Sequence, residues 1–183
     1  MEVVIRPALV HEVARLGDVE RDGDRRFTGY GGVPVGFDDT VEVSRLVGAR
    51  TEGRLWVASL VSGGVGRGAS DDGEIIGFSL AEVLDGQAQL AQVSVRLEFQ
   101  GRGVGGRLVE AVCRWARERS SESVTLSTFT DVGWNRPLYE QMGFVVVPEE
   151  QWTTGLRAAM ASEAALGLDG SRRVVMRKSL LTG

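Results

Sequence analysis

The sequence predicts an α/β fold, a mixed α+β sheet with helices on both faces. Three observations carry that reading. The first half holds strand-like apolar runs separated by hairpin signals. The second half holds a β-α-β unit, which places a parallel pair in the same sheet. The 183 residues are 43% hydrophobic and 25% charged, with 25 glycines. That composition suits one globular domain with a buried core, so a single domain over residues 1–183 is expected. There is no internal repeat, and no linker that would split the chain.

Each element follows in order. Glu2 to Arg6 alternates weakly and reads as a short strand stopped by Pro7. Leu9, Val10, Val13, Ala14 and Leu16 are spaced as on an amphipathic helix. Asp22 to Phe37 is rich in Gly and Asp and reads as a loop. Thr40 to Ala49 carries Val43, Leu46 and Val47 at helical spacing. Leu55 to Val61 is a strand, and Ser62 to Gly73, with five glycines and two aspartates, is a flexible connection. Glu74 to Leu84 is the next strand, Asp85-Gly86 a hairpin turn, and Gln89 to Val95 the partner strand.

After the glycine-rich stretch Gln100 to Gly106 comes a helix. Val104, Leu108, Val112 and Trp115 share one face of it, while Arg107, Glu110, Arg114, Arg117 and Glu118 decorate the other. Ser123 to Phe129 is a strand. Trp134 to Met142 is a short helix with Pro137 in its first turn and Gly143 as its C-cap. Phe144 to Val147 begins another strand, Thr153 to Leu166 reads as helical, and Arg173 to Arg177 alternates as a last strand.

Composition also narrows function. The 21 basic and 25 acidic residues leave a net charge of -4 without a basic block. That argues against nucleic acid and weakly favours a cationic or amine substrate. One cysteine, Cys113, allows no internal disulfide, and one histidine, His11, leaves no Cys/His zinc cluster, so no metal is expected. No apolar run reaches membrane-spanning length and the N-terminus lacks a signal-peptide stretch, so a cytoplasmic location and no membrane partner are expected. Cys113, mid-helix and far in sequence from His11, reads as a packing residue rather than a nucleophile.

Gln100-Gly101-Arg102-Gly103-Val104-Gly105-Gly106 lies between an apolar strand and an amphipathic helix. Glycine lets the backbone turn tightly and approach a ligand closely. A helix start presents unpaired N–H groups and partial positive charge, and Arg102 and Arg107 add full charge. The natural guest is a pyrophosphate, although a plain glycine-rich turn fits the same residues. Gly101, Gly103 and Gly106 also spell the dinucleotide fingerprint, with Asp131 after the next strand. Against that reading, hairpins precede the motif, only one β-α-β unit is present, and Glu98-Phe99-Gln100 separates the strand from the first glycine.

The run Val93-Ser94-Val95, Glu98 and Gln100 through Gly105 resembles the central motif of the GNAT acetyltransferases, in which Gln100, Gly103 and Gly105 fill the signature positions. Asn135 through Phe144, with Tyr139 and Gly143-Phe144, resembles the family's second motif. Thr128 to Asn135 looks like a bacterial small-molecule branch. The resemblance implies a mostly antiparallel sheet with a splayed parallel pair, Leu90 to Val95 and Ser123 to Phe129. It implies acetyl-CoA as cosubstrate and acetyl transfer to a primary amine of a small molecule by direct attack. A non-catalytic acyl-CoA-binding domain is the alternative.

Further expectations come from the resemblance. Backbone groups of Val93 and Val95 pair with the pantetheine arm. Gln100, Gly101, Arg102, Gly103, Val104, Gly105 and Gly106 hold the pyrophosphate, and Asn135 bonds the pantetheine or a water. Tyr139 is the general acid, unless it is a packing tyrosine. Glu98 is the first choice of general base, with Glu82 or a water chain as alternatives. Asp131 is an alternative cap for its turn, and Phe129 and Trp134 wall the pocket or pack as core. Dimers are common in the family, so a homodimer fits as well.

Overall fold

The computed structural model describes residues 2–28, 40–61, 73–165, 167–168 and 170–181. Its strands are β1 (Glu2–Pro7), β2 (Leu55–Val61), β3 (Glu74–Leu84), β4 (Gln87–Val95), β5 (Ser123–Phe129), β6 (Val145–Val147) and β7 (Arg173–Ser179). Its α-helices are α1 (Leu16–Asp24), α2 (Val43–Thr51), α3 (Val104–Glu118), α4 (Asn135–Gln141) and α5 (Thr154–Ala165). The seven strands are hydrogen-bonded in the order β1-β2-β3-β4-β5-β7-β6. β1–β2, β2–β3, β5–β7 and β6–β7 are antiparallel, and β4–β5 is parallel. The parallel register covers two residue pairs, Ala88↔Val124 and Gln89↔Thr125. It therefore lies ahead of the Leu90 to Val95 stretch expected to form it. Among the described residues no helix is long and apolar enough to cross a membrane.

Contacts divide the described residues into two compact units. One draws on Met1–Arg26, Asp38–Ala81 and Gln92–Val112, the other on Phe27–Phe37, Glu82–Ala91 and Cys113–Gly183. In the first unit, Ala58, Leu60, Ile76, Val95, Val104 and Leu108 form a core against which Val93 and Phe99 pack. The side chains of β4 alternate between faces. Val93 and Val95 meet α3 on one face. Gln92 and Ser94 face away from that core, and Gln92 meets Glu20 of α1. Helices therefore cover both faces of this part of the sheet.

α1 lies against β4 through a single spacing. Leu16, Val19, Glu20 and Gly23 recur on one helical face and all four are buried. At Gly23 a Cβ would stand 2.7 Å from the Val95 carbonyl oxygen, inside van der Waals contact with rigid backbone. Gly23→Ala is therefore expected to destabilise the fold by about 1–3 kcal/mol through overpacking. A thermal melt checks it, at roughly 2–4 °C per kcal/mol for a chain of this size. An unchanged melting temperature would mean that α1 does not seat there.

The start of the chain is fastened locally. Glu12 is buried, and both its oxygens accept from the Arg6 guanidinium at 2.6 and 2.9 Å. The Leu9 N–H adds a third bond at 2.7 Å. Burial opposes ionisation of Glu12, yet the bonds from Arg6 and Leu9 win and hold its pKa below the ordinary value.

In the second unit Leu156 and Met160 of α5 pack on Val147 and Val175. The Asp85-Gly86 turn has left-handed φ of 50° and 77°, the pair a two-residue hairpin requires. Asp85 also accepts from the Gly155 N–H at 2.7 Å, in the first turn of α5.

Several boundaries differ from the sequence reading. Val10–Arg15 is a 3₁₀ segment and the helix continues to Asp24, with a further 3₁₀ turn at Arg25–Phe27. The loop expected from Asp22 is thus helical at its start, because burial of Val19 and Glu20 outweighs the weak propensity of the Gly- and Asp-rich sequence. Its residues 29–37 lie outside the described residues, as do residues 62–72 of the flexible connection. Val10, Val43 and Val47 are exposed rather than core-facing, and Leu46 and Ala49 carry the α2 contact.

Candidate active site

The first part of the site begins where β4 ends. The Arg96 N–H donates to the Ile76 carbonyl of β3 at 2.8 Å. By strand alternation the backbone groups of Val93 and Val95 point away from β3. The chain then makes a 3₁₀ turn at Leu97–Phe99. Gly101 and Gly103 follow with φ of 73° and 78°, the left-handed region that glycine enters without a Cβ penalty. A Cβ at either position would meet nothing within 4 Å, so conformation rather than crowding calls for glycine, and the space above the loop is open.

α3 starts at Val104, and the Arg107 N–H donates to the Gly103 carbonyl at 3.2 Å. The amides of Val104, Gly105 and Gly106 occupy the first turn, where a helix offers no internal acceptor. The expected loop from Gln100 to Gly106 is thus shorter, and its last two glycines are helical. The anion-binding logic survives, since first-turn amides and the helix dipole point the same way. Arg102 is exposed and lies over the Phe99 ring at 5.6 Å. Arg107 is bonded to the Val3 carbonyl at 3.0 Å. An open left-handed loop, first-turn amides and a flanking guanidinium suit an anion.

The Gln100 side chain bonds the protein itself. Its Nε2 donates to the Val95 carbonyl at 2.7 Å and the Gly23 carbonyl at 3.0 Å, and its Oε1 accepts from Arg26 at 3.1 Å. The side chain fastens the loop to β4 and α1, which leaves its backbone to face a ligand.

The second part gathers around α4. The Asn135 N–H donates to the Val132 carbonyl at 3.0 Å and starts the helix. Gly143, with φ of 86°, ends it while the Phe144 N–H returns to the Tyr139 carbonyl at 3.0 Å. Tyr139 is buried, 9% exposed, with its ring edge-on to Phe144 at 5.9 Å. Burial pushes its phenol up to about 12, against an opposing effect of the Arg173 charge. The phenol therefore stays protonated throughout the neutral range. Phe27 joins Phe129 and Trp134 at 5.9 and 6.1 Å, so the two aromatics expected as a wall do cluster. Arg173 lies over Phe129 at 4.6 Å and pairs with Glu163 at 2.7 Å.

Glu98 and Glu82 fare differently from the core residues. Glu98 sits exposed on the 3₁₀ turn, and Glu82 is half-buried on β3. Asp131 does not cap its turn but pairs with Arg172 through its Oδ2. Cys113 is buried in α3. The sequence reading missed Glu20. It lies on the buried face of α1, 5% exposed, and accepts from Gln92 Nε2 at 2.8 Å and the Val41 N–H at 2.9 Å. Its signal was the Leu16, Val19, Glu20, Gly23 spacing, hidden by ending the helix at Leu16.

The sheet excludes the dinucleotide-binding reading, since its one parallel pair cannot supply a doubly wound domain. Solved structures of the same fold include a Staphylococcus aureus acetyltransferase of the GNAT family, with a TM-score of 0.70, 12% identity, and 98% of this chain and 100% of that one covered. The PaiA N-acetyltransferase of Thermoplasma acidophilum, solved with coenzyme A, matches at 0.66 and 14% over 98% and 99%. The ribosomal-protein alanine N-acetyltransferase of Escherichia coli matches at 0.62 and 14% over 100% and 96%. These likenesses establish the fold. The family model for GNAT acetyltransferases matches residues 39–144. With more than half its length under that model, and with the fold to match, this chain belongs to the GNAT acetyltransferase family, whose cosubstrate is acetyl-CoA.

Proposed function

We propose that residues 1–183 act as one catalytic domain that moves the acetyl group of acetyl-CoA to a primary amine of a small molecule by direct attack. The observation that carries the reading is the open left-handed turn at Gly101 and Gly103, immediately ahead of the first-turn amides of α3. When bound, acetyl-CoA supplies an activated thioester. The chain's residues supply placement. Gly101, Arg102, Gly103, Val104, Gly105 and Gly106 hold the diphosphate, with Gln100 bracing the loop from behind. Backbone groups of Val93 and Val95, turned away from β3, take the pantetheine amides, and Asn135 adds a bond to the pantetheine or a water.

Tyr139, kept protonated by burial, gives its proton to the departing sulfur. Glu98 is exposed on the 3₁₀ turn that leads into the loop, and it meets the proton of the amine through solvent. The buried Cys113 is compatible with a reducing cytoplasm, and a homodimer belongs to the same reading. Calorimetric titration with CoA and with NADPH, followed by thiol release from acetyl-CoA over a panel of small amines and peptide N-termini, tests the proposal. Saturable CoA binding without NADPH binding, and release driven by small amines, is expected. Release driven only by peptides would replace the small-molecule acceptor. CoA binding without release for any amine would leave a binding domain.

A further inference from the structure

Glu20 is a carboxylate buried in an unusual setting. Its two oxygens accept from neutral donors, Gln92 Nε2 at 2.8 Å and the Val41 N–H at 2.9 Å. Gln92 Nε2 also donates to Ser94 Oγ at 2.9 Å. Among the described residues the charged groups around it are Asp24 and Arg21 on its own helix and Arg45 on α2, while β4 faces it with the neutral Gln92 and Ser94. A carboxylate offers about four lone-pair sites, and the described residues engage two of them here. Gln92 and Ser94 alternate along β4 with Val93 and Val95. A thioester lying along the backbone of Val93 and Val95 would therefore have Glu20 beside the same strand segment.

We propose that Glu20 is the general base of the transfer, accepting the proton of the incoming ammonium while Gln92 and the Val41 N–H hold its carboxylate in place. This rests on the reading that acetyl-CoA binds along β4. The step balances as follows. The ammonium gives one proton to Glu20 and becomes a neutral amine. Its lone pair forms the C–N bond at the thioester carbonyl, and the C–S bond breaks with its electron pair on sulfur. The sulfur takes a proton from Tyr139, and the second nitrogen proton restores that phenol through solvent. Glu20 then releases its proton to bulk water.

The setting suits the task. Desolvation pushes the Glu20 carboxyl up to about 7, with the Asp24 charge adding and the Val41 bond opposing. A base tuned that high is better matched to an ammonium near 10 than an ordinary glutamate near 4. It also costs stability. A carboxyl raised in the folded state favours folding fully below its unfolded pKa, and that contribution is lost as pH rises toward 7. A carboxylate held by a charged partner, as Glu12 is by Arg6, has the opposite profile.

Glu20→Gln tests the proposal. The readouts are thiol release from acetyl-CoA with spermidine, L-lysine and ethanolamine, CoA affinity, and melting temperature against pH. The expected result is a roughly 100-fold or larger fall in kcat at pH 7, CoA affinity within twofold, and loss of the acidic limb of the rate profile. Glu20→Asp is expected to restore that limb at reduced rate. The wild type should lose melting temperature relative to Glu20→Gln as pH rises from 5 to 8. Carbon-13 titration of the glutamate carboxyls in the CoA-loaded protein needs no acceptor, and one carboxyl titrating far above the ordinary range should vanish in Glu20→Gln. An unchanged acidic limb, or ordinary titration of every glutamate, overturns the proposal even when CoA binds. A wild type that does not bind CoA would fail the reading of the glycine turn first.

Discussion

Gly103→Glu is expected to abolish measurable CoA binding, a loss on the order of 1000-fold or more. Two effects add. The backbone at 103 has φ of 78°, and an L side chain in the left-handed region costs about 1–2 kcal/mol. The larger effect is electrostatic. A carboxylate placed where the diphosphate belongs repels it by about 4 kcal/mol at 4 Å for an effective dielectric near 20. The two sum to roughly 5 kcal/mol, more than three decades in affinity. Crowding adds nothing, since a Cβ there meets no atom within 4 Å. Gly103→Ala is therefore the matched control and should weaken binding only about tenfold. Titration calorimetry separates the two variants, and full CoA affinity in Gly103→Glu would remove the loop from the site.

Tyr139→Phe is expected to lower kcat by about 10- to 1000-fold with little change in CoA affinity. The ring and its packing on Phe144 are kept, so the change isolates the hydroxyl. The sign of the pH dependence follows from burial. A phenol raised to about 12 keeps its proton below its ordinary value near 10 and loses it only as pH rises through about 12. Ionisation of Tyr139 should therefore produce no alkaline limb between pH 7 and 10. Steady-state rates against pH check both statements. An unaltered kcat in Tyr139→Phe would make Tyr139 a packing residue.

The sequence was most legible where the physics is local. Leu55–Val61, Glu74–Leu84 and Ser123–Phe129 are strands over the very residues expected. Their β-branched residues and flanking turns need no distant partner to be read. The same holds for Asp85-Gly86 and for Gly143, whose left-handed φ values follow from residue type. The glycine turn was legible as a tight turn ahead of a helix, although the start of α3 at Val104 was not.

What stayed hidden depends on contacts remote in sequence. Gly23 falls in the stretch that reads as a loop, but it is a packing residue, because a Cβ there would stand 2.7 Å from the Val95 carbonyl oxygen. Glu20 lies beyond Leu16, the last residue of the predicted helical spacing. Its burial depends on Gln92, 72 residues away. Periodicity cannot show such a pairing. The motif position of Gln100 says nothing of its side chain, which bonds Val95, Gly23 and Arg26.

That brace has a consequence for how the two substrates affect each other. Gln100 joins the glycine turn to α1 through the Gly23 carbonyl, and Glu20 sits one helical turn earlier on the same helix. Occupancy of the turn and the placement of α1 are therefore thermodynamically linked. Any free energy by which bound CoA favours one placement of α1 must return, undiminished, as tighter CoA binding when an acceptor favours that placement. Such coupling is reciprocal, so donor and acceptor would each tighten the other's hold whichever arrives first.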